Sequence, residues 1–166
     1  MRTTTRIRGL CAAACAAPLL VLAGAAAAGA ATAVVPATAP AAVTATPGEI
    51  LQLVNAERAK AGCPALKENA QLAKAAQTFA DDAAKNNLTS HTGSDGSSAQ
   101  QRIKDAGYEA RMYGENMFNG STDAKAAVDW WTGSAAHHAT MINCAFVDTG
   151  VGVSGNYAVQ VFATPS

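Results

Sequence analysis

The C-terminal stretch "FVDTGVGVSGNYAVQVFATPS" alternates, with Val151 and Val153 before "SGN" and Val159 and Val161 after it. A period of two places one set of side chains on one face of a strand, and the small-residue break reads as a hairpin turn. An isolated two-stranded hairpin is marginal in water and needs further strands, or helices, against its apolar face. The rest of the chain must therefore supply that cover.

Upstream segments supply it. "PGEILQLVNAERAKAG" (47–62) puts Ile50, Leu53, Val54 and Ala61 at helical spacing, with Pro47 and Glu49 at its start and Gly62 just past its end. "CPAL" makes a short extended connection. "ENAQLAKAAQTFADDAAKNNL" carries Leu72, Ala75, Ala76, Phe79, Ala80 and Ala83 on one stripe, with Asn69 as its N-cap. The alanines on that stripe permit close approach to a sheet. After the turn-rich "TSHTGSDGSSAQQ" (89–101) a short helix spans 98–107 and closes on Gly107. "YEARMYGENMF" is extended. "STDAKAAVDWWTGS" (121–134) reads as a helix with a Ser/Thr start and a stripe of Ala124, Ala127, Val128 and Trp131, and "AAHHATMINC" as a turn or one-turn helix. Helices, a middle strand and a closing hairpin predict an α+β domain with an antiparallel sheet.

The first residues do not join that core. Arg2, Arg6 and Arg8 precede an alanine-rich apolar run ending in small residues at 28–30, the pattern of a secretory signal peptide over 1–30. The alternative is a retained membrane anchor, which the weak hydrophobicity of alanine and the interruption at Pro18 disfavour. Cys15 lacks the leucine expected of a lipoprotein box. Residues 31–47, with Pro36, Pro40 and Pro47 and no charge, read as a tether, leaving one folded domain over 48–166. The mature protein is thus expected to be secreted, extracellular, monomeric and not inserted in a membrane after signal cleavage.

Without the three leader arginines, twelve basic residues fall to nine against twelve acidic ones, a formal net charge of −3. The basic residues are scattered singly, so nucleic acid is not an expected partner. Cys63 and Cys144 remain after the leader is removed. In an exported chain they are expected to pair, with two free thiols as the alternative. Closing so long a loop is worth roughly 4–5 kcal/mol on the chain-entropy model.

Three stretches carry chemistry: "SHTGSD" with His91, "YGENM" with Glu115, and "SAAHHATMI" with His137 and His138. Glu115 sits in an otherwise uncharged run between Arg111 and Asp123, and burying a carboxylate demands a partner. Spacing alone does not bring these residues together. A histidine in a Ser/Gly loop is ordinarily solvated, and a glutamate at a strand end is ordinarily an edge charge. "HHATM" is not HExxH, "GSDGSS" lacks the G-x-S-x-G elbow, and helix capping explains Ser134 more simply than nucleophilic catalysis. Trp131 falls on the core stripe of its helix, and Trp130 on another face.

Taken in order, "LVNAERAKAGCPAL", "LAKAAQTFADDAA", "SHTGSDGSSAQQRIKDAGY", "GEN", "AVDWWTGSAAHHATMI" and "VDTGVGVSGNYAVQVF" resemble the CAP superfamily, or SCP domains, shared by cysteine-rich secretory proteins, antigen 5 and PR-1 proteins. The resemblance implies a three-layer α-β-α sandwich around a mainly antiparallel central sheet, with a His/Glu-lined cleft. It matches His91 to the family's His-Ser/Thr loop, Glu115 to its Gly-Glu-Asn motif and His137, rather than His138, to the histidine of the bacterial segment. Where animal and plant members carry a second glutamate this chain has Ser134, which puts in doubt any activity needing paired carboxylates. Thr140 and Ala135–Ala136 also depart from the bacterial pattern.

Two imidazoles and a carboxylate converging in a cleft suit a divalent metal such as Zn²⁺, so His91, Glu115 and His137 are the expected ligands and the candidate catalytic residues. The expected function is binding outside the cell, with a small lipid, a glycan or a cell-wall component as ligand. The alternative is a metal-assisted hydrolase with Glu115 as general base.

Overall fold

The computed structural model describes residues 45–121 and 123–166. The expected signal peptide and the tether as far as residue 44 lie outside the described residues. The tether's last three positions belong to the fold instead. Ala45 is buried. Thr46 caps α1 (Pro47–Lys60) in a reciprocal capping box with Glu49, and Pro47 opens the helix, where its missing N–H is no loss.

On α1 the buried residues are Ile50, Val54 and Arg58, whereas Ala61 is exposed. Arg58, one turn beyond Val54, takes the next inward position. It is tolerated because its guanidinium donates to four carbonyls: Pro64 at 3.0 Å, Met141 at 2.8 Å, Asn143 at 2.9 Å and Phe146 at 3.0 Å. The Cys63–Cys144 disulfide joins the same two segments.

The strands are β1 (Lys67–Glu68), β2 (Ala110–Asn119), β3 (Asp148–Ser154) and β4 (Tyr157–Pro165), in the order β1-β3-β4-β2. β3 and β4 form the expected hairpin, with Gly155 supplying the positive φ of its turn. β2 pairs antiparallel with β4. The two-residue β1 pairs parallel with β3, so the sheet is mixed although mainly antiparallel.

α2 (Ala70–Asn86) and α3 (Ala99–Asp105) cover one face. Leu72, Ala75, Ala76, Phe79 and Ile103 pack there on Val159, Val161 and Ala163. α1, α4 (Ala124–Gly133) and α5 (Ala135–Met141) cover the other face, where Ile50, Val54, Trp131 and Met141 join Ala158 and Phe162. These three layers are the expected α-β-α sandwich. Both faces of β4 are consequently buried, more than a half-exposed hairpin strand would be. Asn69 caps α2 as expected, and Ser98, placed inside the expected helix, caps α3. Asp123 caps α4, and α5 is longer than the expected single turn.

Candidate functional site

β2 is an edge strand, paired with β4 alone among the described residues. Consecutive side chains on a strand point to opposite faces, so "GEN" at 114–116 reaches both layers at once. A Cβ at Gly114 would crowd Thr140 and Phe146, so glycine lets α5 and the following loop close over this face. Glu115 turns toward α3. Asn116, on the opposite face, donates from Nδ2 to the His137 carbonyl at 3.0 Å. One motif thereby holds the two histidine-bearing segments from either side of the sheet edge.

The Glu115 side chain is only 4% exposed. Arg102 Nη2 donates to both of its oxygens, at 3.0 and 2.9 Å, and His91 Nδ1 lies 2.8 Å from Oε1. These charge-assisted bonds offset the desolvation of the carboxylate. Arg102 is itself fixed: it is 7% exposed, its guanidinium lies 3.7 Å over the Phe79 ring, and it donates to the carbonyls of Ser97 and His91. It therefore holds both the carboxylate and the backbone of the histidine loop.

Arg102 is the site residue that sequence reasoning missed. Its signal was present: Ala99, Arg102, Ile103 and Ala106 share an inward stripe at helical spacing. An arginine on such a stripe calls for a buried acid.

His137, near the start of α5, has its Nδ1 2.7 Å from Ser134 Oγ. Ser134 occupies the N-cap position, yet its side chain makes no capping bond and turns to the imidazole. A hydroxyl thus holds the ring at the position where the family resemblance would place a glutamate. The Trp130 ring lies 4.7 Å from the His137 ring, between centroids. His138 makes no side-chain hydrogen bond among the described residues.

The imidazoles are shifted in opposite directions. The hydrogen bond to Glu115 raises His91 above the ordinary 6.5, while burial lowers His137, with a further depression from the charge of His91. Histidine-selective NMR should therefore place the His91 titration above and the His137 titration below the ordinary value; coincident curves for these two would refute both environments. The stability consequences have opposite signs. The His91 contribution is complete below 6.5 and is lost as pH rises through its folded value. The His137 contribution is present above 6.5 and is lost as pH falls through its folded value.

Beside His91 and Glu115 lies a hollow of about 310 Å³, lined also by Thr92, Ser98, Ala99 and Tyr113. A larger one of about 420 Å³ lies on the other side of Arg102, between α2, α3 and the 94–97 loop. Its acids Asp82, Asp95 and Asp105 already accept from Ser94, Ser97 and Gln101, and no imidazole lines it. The smaller hollow holds the chemistry.

Among the described residues, no three His, Cys, Asp or Glu side chains gather as a set that could hold a metal ion. Both Glu115 oxygens are engaged, by Arg102 and by His91. Each imidazole has its Nδ1 anchored, His91 by Glu115 and His137 by Ser134.

The fold is a three-layer α-β-α domain with a hollow beside His91 and Glu115 at the edge of its sheet. A family model described as CAP, cysteine-rich secretory protein family, matches residues 51–164, and the chain belongs to that family. It is 30% identical over 119 residues to an uncharacterized membrane protein of Bacillus subtilis, covering 72% of this chain and 34% of that one. An extracellular protein containing an SCP domain from Bacillus anthracis superposes with a TM-score of 0.68 at 27% identity, over 70% of this chain and 39% of its own. An outer surface protein of Borrelia burgdorferi gives a TM-score of 0.64 at 21% identity, over 70% and 90%. The chain thus spans about a third of the length of the Bacillus subtilis relative.

Proposed function

We propose that this protein is an extracellular CAP-domain binding protein whose cleft takes a divalent cation, such as Zn²⁺, on His91 and His137. The observation that carries the reading is the anchoring of each ring at Nδ1. A ligating histidine is ordinarily fixed by a hydrogen bond at its other nitrogen, frequently to a carboxylate, as Glu115 does for His91. Glu115 therefore orients a ligand and does not itself ligate. With two protein donors the site is open, and the cation would keep exchangeable positions for a further ligand. Export is supported by the signal-like leader and the Cys63–Cys144 disulfide, and by the extracellular description of the Bacillus anthracis relative.

The hydrolase alternative gains nothing from the geometry. A general base must reach water or substrate with a free lone pair, and the Glu115 carboxylate is buried under Arg102 and His91.

Calorimetric titration with Zn²⁺ tests the proposal. The intact protein should give a saturable heat that His91→Ala and His137→Ala each weaken by about tenfold or more. Equal heats in all three proteins would end it.

A further inference from the structure

We infer that the cleft takes a pyranose glycan, with Trp130 and Tyr113 as its stacking surfaces. The inference rests on the reading of the cleft as a ligand site and names the chemical class of that ligand.

Among the described residues only three large hydrophobic side chains are exposed: Tyr113 at 41%, Trp130 at 49% and Val147. Each of the aromatic ones adjoins a candidate histidine. Tyr113 lines the hollow of His91 and Glu115, and Trp130 packs on His137. Trp130 is also braced by Phe118, with centroids 5.8 Å apart. An indole supported by two rings yet half open to solvent is a rigid platform, which loses little freedom when a flat ligand settles on it. Its neighbour Trp131 is wholly buried in the core, so this helix does bury an indole where packing calls for one.

The polar groups around Tyr113 and His91 decide the ligand. The hollow offers the Thr92 and Ser98 hydroxyls, the Tyr113 phenol and the half-exposed His91 ring, with Ala99 as its one aliphatic side chain. An acyl chain would find no apolar trough there. A pyranose ring presents C–H groups on its flat face and hydroxyls around its rim. Its face suits Trp130 or Tyr113, and its rim suits the surrounding hydroxyls and imidazole. The formal net charge of −3 without the leader arginines favours a neutral glycan over a polyanionic one.

The test is a titration of the ¹⁵N-labelled full domain, followed by amide and indole NMR shifts, with chitotetraose, cellotetraose and dodecanoate as separate probes. At least one sugar should shift the Trp130 indole and the Thr92 and Ser98 amides saturably, and leave the Trp131 indole unmoved. Trp130→Ala should weaken that binding by about tenfold, and Trp130→Phe should restore most of it. A native Trp131 indole signal in both variants shows that they fold. Binding indifferent to Trp130→Ala, binding of neither sugar, or binding of dodecanoate alone would overturn the inference. Zn²⁺ calorimetry on the same samples separates the two readings. A zinc heat without sugar binding removes the glycan and leaves the cation site, whereas loss of both removes the cleft as a ligand site.

Discussion

Arg102→Met should destabilise the domain by about 3–5 kcal/mol, because it strands a buried carboxylate without its principal partner. Glu115 would keep only His91, whose side chain is 52% exposed, and the 91–98 loop would lose the guanidinium that holds the Ser97 and His91 carbonyls. In thermal unfolding the loss corresponds to a melting temperature lower by roughly 10–20 °C for a domain of this size. Arg102→Met combined with Glu115→Gln should recover much of the deficit, since an absent buried pair costs far less than a broken one. If the single variant melts with the wild type, the ion pair does not hold the loop. If the double variant is no better than the single one, the damage comes from lost packing on Phe79.

Gly150→Ala should be at least as damaging. Gly150 and Gly152 face α2 from β3, and a Cβ at either position would collide with helix backbone, at Leu72 and Ala73 or at Ala76 and Gln77. Overpacking costs about 1–3 kcal/mol where side chains can give way. Here main chain meets main chain, so the helix must lift off the sheet, and a loss of about 3 kcal/mol or more is expected. The control is Gly48→Ala on α1, where an added Cβ meets nothing and stability should be unchanged or slightly higher. Urea denaturation of the three proteins would measure the contrast. A fully stable Gly150→Ala protein would mean that α2 does not lie so close to β3.

The close approach was partly legible, in the Ala75, Ala76, Ala80 and Ala83 stripe of α2, although its complement on β3 was not. "TGVGVS" reads equally as an alternating strand whether its glycines face solvent or a helix, and the choice is made by tertiary packing. The cap Asn69, the stop at Gly107 and the "SGN" turn were legible because each satisfies local backbone groups. Arg58 and Arg102 were obscured by their charge. An apolar-stripe reading skips an arginine, yet each fills an inward position and is satisfied by groups distant in sequence: carbonyls at 141–146 for Arg58, and Glu115 for Arg102. β1 was too short to carry any periodicity. The site came from family resemblance and not from spacing, since nothing local reveals which distant segments Glu115 and Asn116 meet at the sheet edge.

The proposed convergence of two imidazoles across that edge is tested most directly by the titration of His137 in His91→Ala protein, followed by histidine-selective NMR. The charge of His91 depresses His137 in the intact domain, so its removal should move the His137 midpoint upward while burial keeps it below the ordinary 6.5. A His137 curve that superposes on the wild-type one would show that the two rings do not share a cleft.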